Sequence, residues 1–592
     1  MPEDYLNRYN TWLGSPCLTD AERAELQAIS GNEDEIKSRF FKDVEFGTAG
    51  LRGVMGAGTN CINAHIVRHA TQCVCDVFLT AAQKPVSRFT SQKIICITYD
   101  SRHNSREYAQ AAAEVVAANG ITAYLTDDIR PTPELSFAVR YYGAIAGINI
   151  TASHNTAEYN GYKVYDNTGG QILKEFAVPI AEKMRDNDIF SYSKRVPFNE
   201  ALEKNQIRLI GKAATGTLTQ TSGVARPARR RQDTVPADLA FLQELELGTK
   251  SRRIEPYRRE LAELRVVYTP LFGAGRDLVP NALRNLGIKN LFPVPSQSAA
   301  DGDFPGLASP NPEFPESFAE ALKLADEKDA DIIIATDPDC DRVAVMAKPD
   351  PAAKQYVHIS GNKTGVLMID HILNAYRQSG TTPENTAIVK SIVTTEMGRA
   401  AAESYGASCI DTFTGFKYIA KEIDRLTEEE EATVVFAFEE SYGHLAGDYV
   451  RDKDAVTAAV LICEIAARAA SEGLTLIGRL EQLYSRLGYF EEKTLSFVFP
   501  GADGFFTIKS LIEALRAAPP TQIGGTAVIG TRDYLPEADM LRYALADGSA
   551  VIVRPSGTEP TIKAYVLVKG GSAQDAQEKA ARYSGWAAET IK

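Results

Sequence analysis

The sequence predicts a series of α/β units closed by a smaller α+β module, and three observations carry that expectation. Short β-rich runs alternate with helical stretches over almost the whole length, a pattern that builds α/β units with largely parallel sheets. The alternation recurs in three successive blocks. The last stretch is different: AVIVRPSG and TIKAYVLV are separated by a turn and followed by one helix. At roughly 150 residues per domain, a chain of 592 residues holds about four domains. The expected bounds are 1–205, 206–349, 350–485 and 486–592.

The predicted strands are IICITYD (94–100), ITAYLTD (121–127), IAGINITA (145–152), RVVYTP (265–270), DIIIATD (331–337) and TVVFAFEE (433–440). Between them lie amphipathic or Ala-rich helical stretches, among them EYAQAAAEVVAANG (107–120), SFAEALKLADEKDA (317–330) and AVTAAVLICEIAARAA (455–470). The stretch 211–244 breaks the rhythm. It is small and polar, then basic (ARPARRRQ), and it reads as a surface insertion or linker near a domain boundary.

Composition narrows the function. Hydrophobic residues make up 44% and charged residues 24%, an ordinary globular balance. A net charge of -13 argues against general nucleic-acid binding, which depends on clustered Lys and Arg. It also requires local cations wherever an anionic substrate binds. No apolar run reaches the ~20 residues that span a bilayer. The eight Cys lack zinc-ligand spacing, and the start of the chain shows no secretory signal. The expectation is a cytoplasmic protein with reduced thiols and no membrane or nucleic-acid partner.

Five segments hold the residue types that chemistry needs. In ATDPDCDRVAV (335–345), Asp337, Asp339 and Asp341 sit at alternate positions after a strand. In extended backbone such residues point the same way, so three hard oxygen ligands converge and select magnesium or a similar ion. An EF-hand reading fails, because Arg342 stands where the loop needs Gly and Lys348 where it needs Glu. INITASHNTAEYNGYKVY (148–165) runs a strand into a turn presenting Ser153, flanked by His154 and Asn155. It has no G-x-S-x-G elbow, so a serine hydrolase is not indicated. A serine combined with a metal loop elsewhere suits phosphoryl transfer.

VEFGTAGLRG (44–53) is a Gly-rich turn ending in Arg52, able to line an anion with amides and a guanidinium fork. It is not a P-loop, and GAGRDL (273–278) fails G-x-G-x-x-G at Leu278. In FEESYGHLAGDYVRDKDAV (438–456), Glu439 and Ser441 follow a strand and can reach ligand hydroxyls. Lys453 lies among charged neighbours there and, from spacing alone, reads as an exposed surface lysine. VRPSGTEPTIKAY (553–565) gathers Arg554, Ser556, Gly557, Thr558 and Lys563 around a turn, the donor set that captures phosphate.

Taken in this order, TASHN, the D-P-D-x-D-R loop, FEESYG and RPSGTEP resemble the signature segments of the α-D-phosphohexomutase superfamily. The resemblance runs from about Phe46 to Tyr565 and extends to YDSRHNS (99–105), RPTPELSFAV (130–139), YTPLFGAG (268–275), S-P-N-P-E (309–313), KSIVTTEM (390–397) and DTFTGFKYIA (411–420). It is similar to the long branch of phosphoglucomutase- and phosphopentomutase-like enzymes. The resemblance implies three related mixed α/β domains and a C-terminal phosphate-binding α+β domain. It implies an isomerase that interconverts glucose 1-phosphate and glucose 6-phosphate, with mannose or pentose phosphates as alternative sugars and a non-catalytic phosphosugar-binding scaffold as the other alternative.

By the same resemblance Ser153 is a phosphoserine and, with Asp337, Asp339 and Asp341, holds Mg2+. Arg52, His154 and Arg342 attend the transferring phosphate, and Lys453 is the general acid/base. Thr414, Gly415, Phe416, Glu439 and Ser441 bind the sugar. Arg554, Ser556, Gly557, Thr558 and Lys563 hold the non-reacting phosphate. Glucose 1,6-bisphosphate is implied as intermediate and activator, sugar phosphates as the only partners, and a monomer or homodimer as the assembly. Two departures stand out: Thr156 follows TASHN where the family has Pro or Gly, and 211–244 matches no family motif.

Overall fold

The computed structural model describes residues 4–47, 50–81, 92–211, 237–251, 255–499, 504–556 and 561–591. Most of the 211–244 stretch lies outside them. The chain divides into two compact units: one of 1–347, 354–359 and 443–471, the other of 348–353, 360–442 and 472–592.

The first unit opens with three short helices, Asp4–Leu13, Asp20–Ala28 and Glu33–Phe40. The second starts at a capping box, Thr19 and Glu22 satisfying each other's backbone amides. Tyr9, Trp12, Leu26, Ile36 and Phe40 bind the three into a small aromatic core.

Two sheets follow in this unit. The strand order of the first is Leu51–Val54, Tyr159–Asp166, Ala144–Ile150, Gln92–Tyr99, Thr122–Thr126, Ile207–Ile210. The last four are parallel, while Tyr159–Asp166 runs antiparallel and pairs Leu51–Val54 in the same sense. Every residue of AIAGINI is buried, because helices cover both faces of a parallel sheet. The second sheet has the order Val357–Ile359, Val343–Ala347, Ile332–Thr336, Arg265–Thr269, Asn290–Pro293. The helix Ala455–Ser471 packs against this sheet and against the helix Gly275–Leu286. Its Ala-rich sequence is buried on nearly all sides.

The second unit also has two sheets. One is built on the parallel strands Thr386–Ser391, Ser408–Thr412 and Thr433–Glu439, flanked by the helices Gly361–Ser379, Glu396–Glu403 and Phe416–Glu428. The other is wholly antiparallel, in the order Tyr489–Val498, Thr561–Gly570, Ala550–Pro555, Leu541–Leu545, Thr526–Asp533, Gln522–Ile523. The helices Gly504–Ala517 and Ala573–Ile591 close one face of it. On the other face Ile552, Tyr565 and Leu567 meet Ile392 and Val393 from the parallel sheet.

Three mixed α/β sheets and a C-terminal antiparallel one match the α/β and α+β reading. Among the described residues no helix is long and apolar enough to cross a membrane. All eight cysteines carry free thiols.

Candidate active site

Ser153 leaves the strand Ala144–Ile150 on a turn and takes a positive φ of 53°, a backbone state that L residues rarely adopt. Such local strain persists only where neighbours hold it. The holder is Arg102, which nothing in the sequence marks beyond its place in YDSRHNS. Its guanidinium donates to the carbonyls of Ser153 (2.6 Å), Asn155 (2.5 Å), Thr156 (2.8 Å) and Tyr159 (3.0 Å). Asp100, fully buried 3.3 Å away, balances its charge. The Ser153 amide donates to Thr151 Oγ1 at 2.8 Å.

This turn presents the Ser153 hydroxyl to Asp337, donating to Oδ2 at 2.9 Å. His154 Nδ1 lies 3.2 Å from Ser153 Oγ. Burial, with the cations Arg342 and Arg52 nearby, pushes the His154 imidazole well below its ordinary pKa. Arg52, at a strand position paired with Gly161, donates to Asn155 Oδ1 at 3.1 Å and so braces the turn from its outer side.

Asp337, Asp339 and Asp341 are buried and offer ligand oxygens within 4.8 Å of one another. The reason for their convergence differs from the expected one. They lie in a tight turn between the antiparallel strands Ile332–Thr336 and Val343–Ala347, and not along extended backbone. Cys340 adopts φ 54°, and the amides of Asp341 and Arg342 fold back onto Asp337 Oδ1 at 3.1 and 3.0 Å. The GAG turn supports this from behind: the Ala274 amide donates to Pro338 O at 2.7 Å. A Cβ on Gly273 would come within 2.4 Å of Pro338 Cα, so only Gly permits that approach.

Two buried lysines face the trio. Lys453 Nζ lies 3.0 Å from Asp341 Oδ2 and 3.2 Å from Asp452 Oδ1. The surface-lysine reading of its spacing is therefore corrected: the segment preceding the helix Ala455–Ser471 carries it inward. Lys163, unremarked in the sequence, stands 2.8 Å from Asp339 Oδ2 and 3.8 Å from Asp341 Oδ2. Thr132 Oγ1 donates to Asp339 Oδ2 at 3.0 Å. Arg342 pairs with Glu313 of the S-P-N-P-E run, and Ser309 of that run donates to the His154 carbonyl at 2.7 Å.

The site fits a hard cation. Asp339 Oδ1 and Asp341 Oδ1 are buried without a hydrogen-bond partner among the described residues, an expensive state unless an ion takes them. Burial first, then the neighbouring Asp339 and Asp341 charges, raise the Asp337 carboxyl well above its ordinary range. Asp339 is held below it, because Lys163 outweighs the cost of burial.

The second unit holds the remaining expected residues. Glu439 is buried at the end of its strand. Ser441 Oγ donates to Glu440 Oε1 at 3.2 Å, and Glu440 Oε2 accepts from Ser391 (2.9 Å) and Thr394 (3.3 Å). Thr414 and Gly415 lead into the helix that Phe416 begins, with Gly415 at φ 108°. Arg554 and Lys563 are cross-strand partners, and the Ser556 amide donates to Thr561 O at 2.7 Å. Gly557 and Thr558 lie outside the described residues.

Known proteins point the same way as this geometry. Residues 43–189, 247–350 and 360–486 match the models of phosphoglucomutase/phosphomannomutase alpha/beta/alpha domains I, II and III. A phosphoglucomutase of Staphylococcus haemolyticus is 32% identical over 546 residues, 89% of this chain and 90% of the relative. One of Staphylococcus aureus is 31% identical over 563 residues, 92% and 93%. Among solved structures, the parafusin phosphoglucomutase of Paramecium superposes with a TM-score of 0.64 at 16% identity, over 92% of this chain and 94% of the other. A family protein from Burkholderia thailandensis gives 0.64 at 17%, over 94% and 97%. The chain belongs to the phosphoglucomutase/phosphomannomutase family.

Proposed function

We propose that this protein is a phosphoglucomutase, an isomerase that interconverts glucose 1-phosphate and glucose 6-phosphate through a phosphoserine at Ser153. The relatives' shared activity and near-complete mutual coverage support the reaction class. The observation that carries the mechanism is the Ser153 hydroxyl, held 2.9 Å from a buried carboxylate trio flanked by two lysines.

In this reading phospho-Ser153 meets the free hydroxyl of a bound glucose monophosphate. The hydroxyl oxygen bonds to phosphorus as the phosphorus–Oγ bond breaks, and Oγ leaves with the electron pair. Lys453, in its neutral amine form, takes the hydroxyl proton, while Lys163 stays an ammonium against Asp339. The product is glucose 1,6-bisphosphate, whose other phosphoryl group returns to Ser153 once the sugar has turned over. Arg52 and Arg342 steady the moving phosphoryl group, and His154, neutral, stays beside Oγ. Asp337, Asp339 and Asp341, with an oxygen on Ser153, would hold Mg2+, which neutralises charge on the phosphoryl oxygens.

Glu439 and Ser441 would bind sugar hydroxyls beside Thr414, Gly415 and Phe416, and Arg554, Ser556, Gly557, Thr558 and Lys563 the non-reacting phosphate. Domain bounds near 205, 349 and 485 accompany this assignment, as does a cytoplasmic location.

The test is Ser153→Ala assayed on glucose 1-phosphate beside mannose and ribose 1-phosphates. Wild type should carry one phosphate by intact mass and prefer glucose; the variant should carry none and lose several orders of magnitude in rate. Retained turnover in Ser153→Ala would sink the phosphoserine, and a higher kcat/KM on ribose 1-phosphate would change the sugar but not the reaction.

A further inference from the structure

Within the second unit, a cavity of about 370 Å³ opens where the helix Phe416–Glu428 and the end of the strand Ser408–Thr412 meet the antiparallel sheet. Its walls are the rings of Phe413, Tyr418 and Tyr534. Three cations, Lys421, Arg532 and Arg542, line it.

The charge there is unbalanced. Arg532 and Arg542 sit directly opposite one another on adjacent strands, an arrangement that like charges disfavour. Arg532 lies over the Tyr534 ring at 4.6 Å, and no ion pair to it is found among the described residues. Among the described residues Arg542 reaches only Glu396, at 3.9 Å, and its Nε is buried without a hydrogen-bond partner. The two acids on the wall are engaged elsewhere. Asp411 pairs with Lys390 at 2.9 Å and Arg399 at 2.7 Å, and Glu422 with Arg425 at 2.7 Å. In a chain of net charge -13, two arginines and a lysine left facing a cavity mark a place for an anion.

The cavity is separate from the Arg554 cluster. Across the sheet the register runs Tyr565, Ile552, Arg542, Arg532. Arg554 follows Ile552, the register partner of Tyr565, by two positions on the same strand. At ~4.8 Å per strand, Arg532 lies about 14 Å from Tyr565 along the hydrogen-bonding direction.

We propose that this cavity is a second phosphate site, taking the phosphate monoester of a small sugar whose ring lies against Phe413, Tyr418 and Tyr534. Arg532 and Arg542 fork the phosphate from the antiparallel sheet and Lys421 closes on it from the helix that begins at Phe416. An occupant therefore ties that sheet to the Thr414–Phe416 loop.

The experiment is calorimetric titration of the full chain carrying Ser153→Ala, so that glucose 6-phosphate binds without turning over. Two binding events per chain are expected. Adding Arg532→Gln and Arg542→Gln should remove one of them, and Lys421→Gln should weaken the same event about tenfold, as loss of a charge-assisted contact does. Adding Arg554→Ala should weaken the other event instead. With Ser153 intact, Arg532→Gln plus Arg542→Gln should keep its kcat. Inorganic phosphate as a competing titrant separates the sources. If only the sugar phosphate fills the second event at millimolar concentration, the monoester is the ligand; if free phosphate fills it equally well, the sugar-stacking part is overturned. A single binding event in the Ser153→Ala chain, or two that survive the double arginine substitution, overturns the site.

Discussion

Lys163 and Lys453 put two ammonium groups against three carboxylates, which leaves about one negative charge in excess before any phosphate arrives. A dication more than closes that gap. Metal should therefore stabilise the folded chain. At a concentration of 100 times its Kd the gain is about 2.7 kcal/mol, visible as a rise in Tm with magnesium. Asp339→Asn should abolish that rise and most turnover, and full activity in chelator would contradict the assignment. Arg102 makes a different prediction. It touches no reacting atom, yet it spans four carbonyls of the Ser153 turn and neutralises a fully buried Asp100. Arg102→Ala should cost roughly 3–5 kcal/mol by chemical denaturation, the range for breaking a buried pair. In the fraction still folded, kcat should fall while KM holds; an equal loss in KM would mean that Arg102 binds substrate. Ser153 and the three aspartates were legible in the sequence because each cluster is contiguous. Lys163 was not: YNGYKVY reads as an ordinary strand, and only its pairing beside Ala144–Ile150 aims that side chain at a loop more than 170 residues later.

At the scale of elements, the acidic hairpin follows a strand as expected, but its three carboxylates come together for a different reason. Alternation along a strand would have spread the carboxylates, whereas φ 54° at Cys340 folds them together. A positive φ at a non-Gly residue leaves no mark in composition. The three N-terminal helices were equally unreadable, being short and held by packing among aromatic residues more than by periodicity. In the second unit, the helix Gly361–Ser379 is tied to Leu476–Leu487 through Asp370, which is buried and bound by Arg479 at 2.7 Å, Arg486 at 2.5 Å and Tyr405 Oη at 2.6 Å. Burial opposes its charge, but Tyr405 and the two guanidinium groups outweigh that and hold the carboxyl below its ordinary range. A depressed folded pKa adds stability above the unfolded value of 3.8, and that stability is lost as pH falls through the folded one. Asp370→Asn should thus cost about 3 kcal/mol at pH 7, with the gap to wild type closing below about pH 4. A gap independent of pH would show that the hydrogen bonds matter and the charge does not.

For the whole molecule, the order of α/β blocks along the chain was legible but its partition in space was not. The chain enters the second unit at 348, returns at 354, leaves again at 360 and comes back at 443 before its last exit at 472. Hydrophobic patterning reports that Ala455–Ser471 is buried, yet it cannot report against which sheet. A fragment ending at residue 359 should therefore fail as an independent domain. It would expose the face of Gly275–Leu286 and of the second sheet that Ala455–Ser471 covers, bind a hydrophobic dye, and melt without a cooperative transition. A sharp, wild-type-like melt of that fragment would show that the returning helix is dispensable. The same return has a consequence during synthesis. Ser153 and Lys453 are separated by 300 residues (453 minus 153), so at roughly 5–20 residues per second the serine leaves the ribosome on the order of 15–60 s before its lysine. The acidic hairpin emerges in between, with Lys163 as the only one of the two ammonium groups yet made. Translation itself thus withholds the last buried cation of the site until more than three quarters of the polypeptide exists.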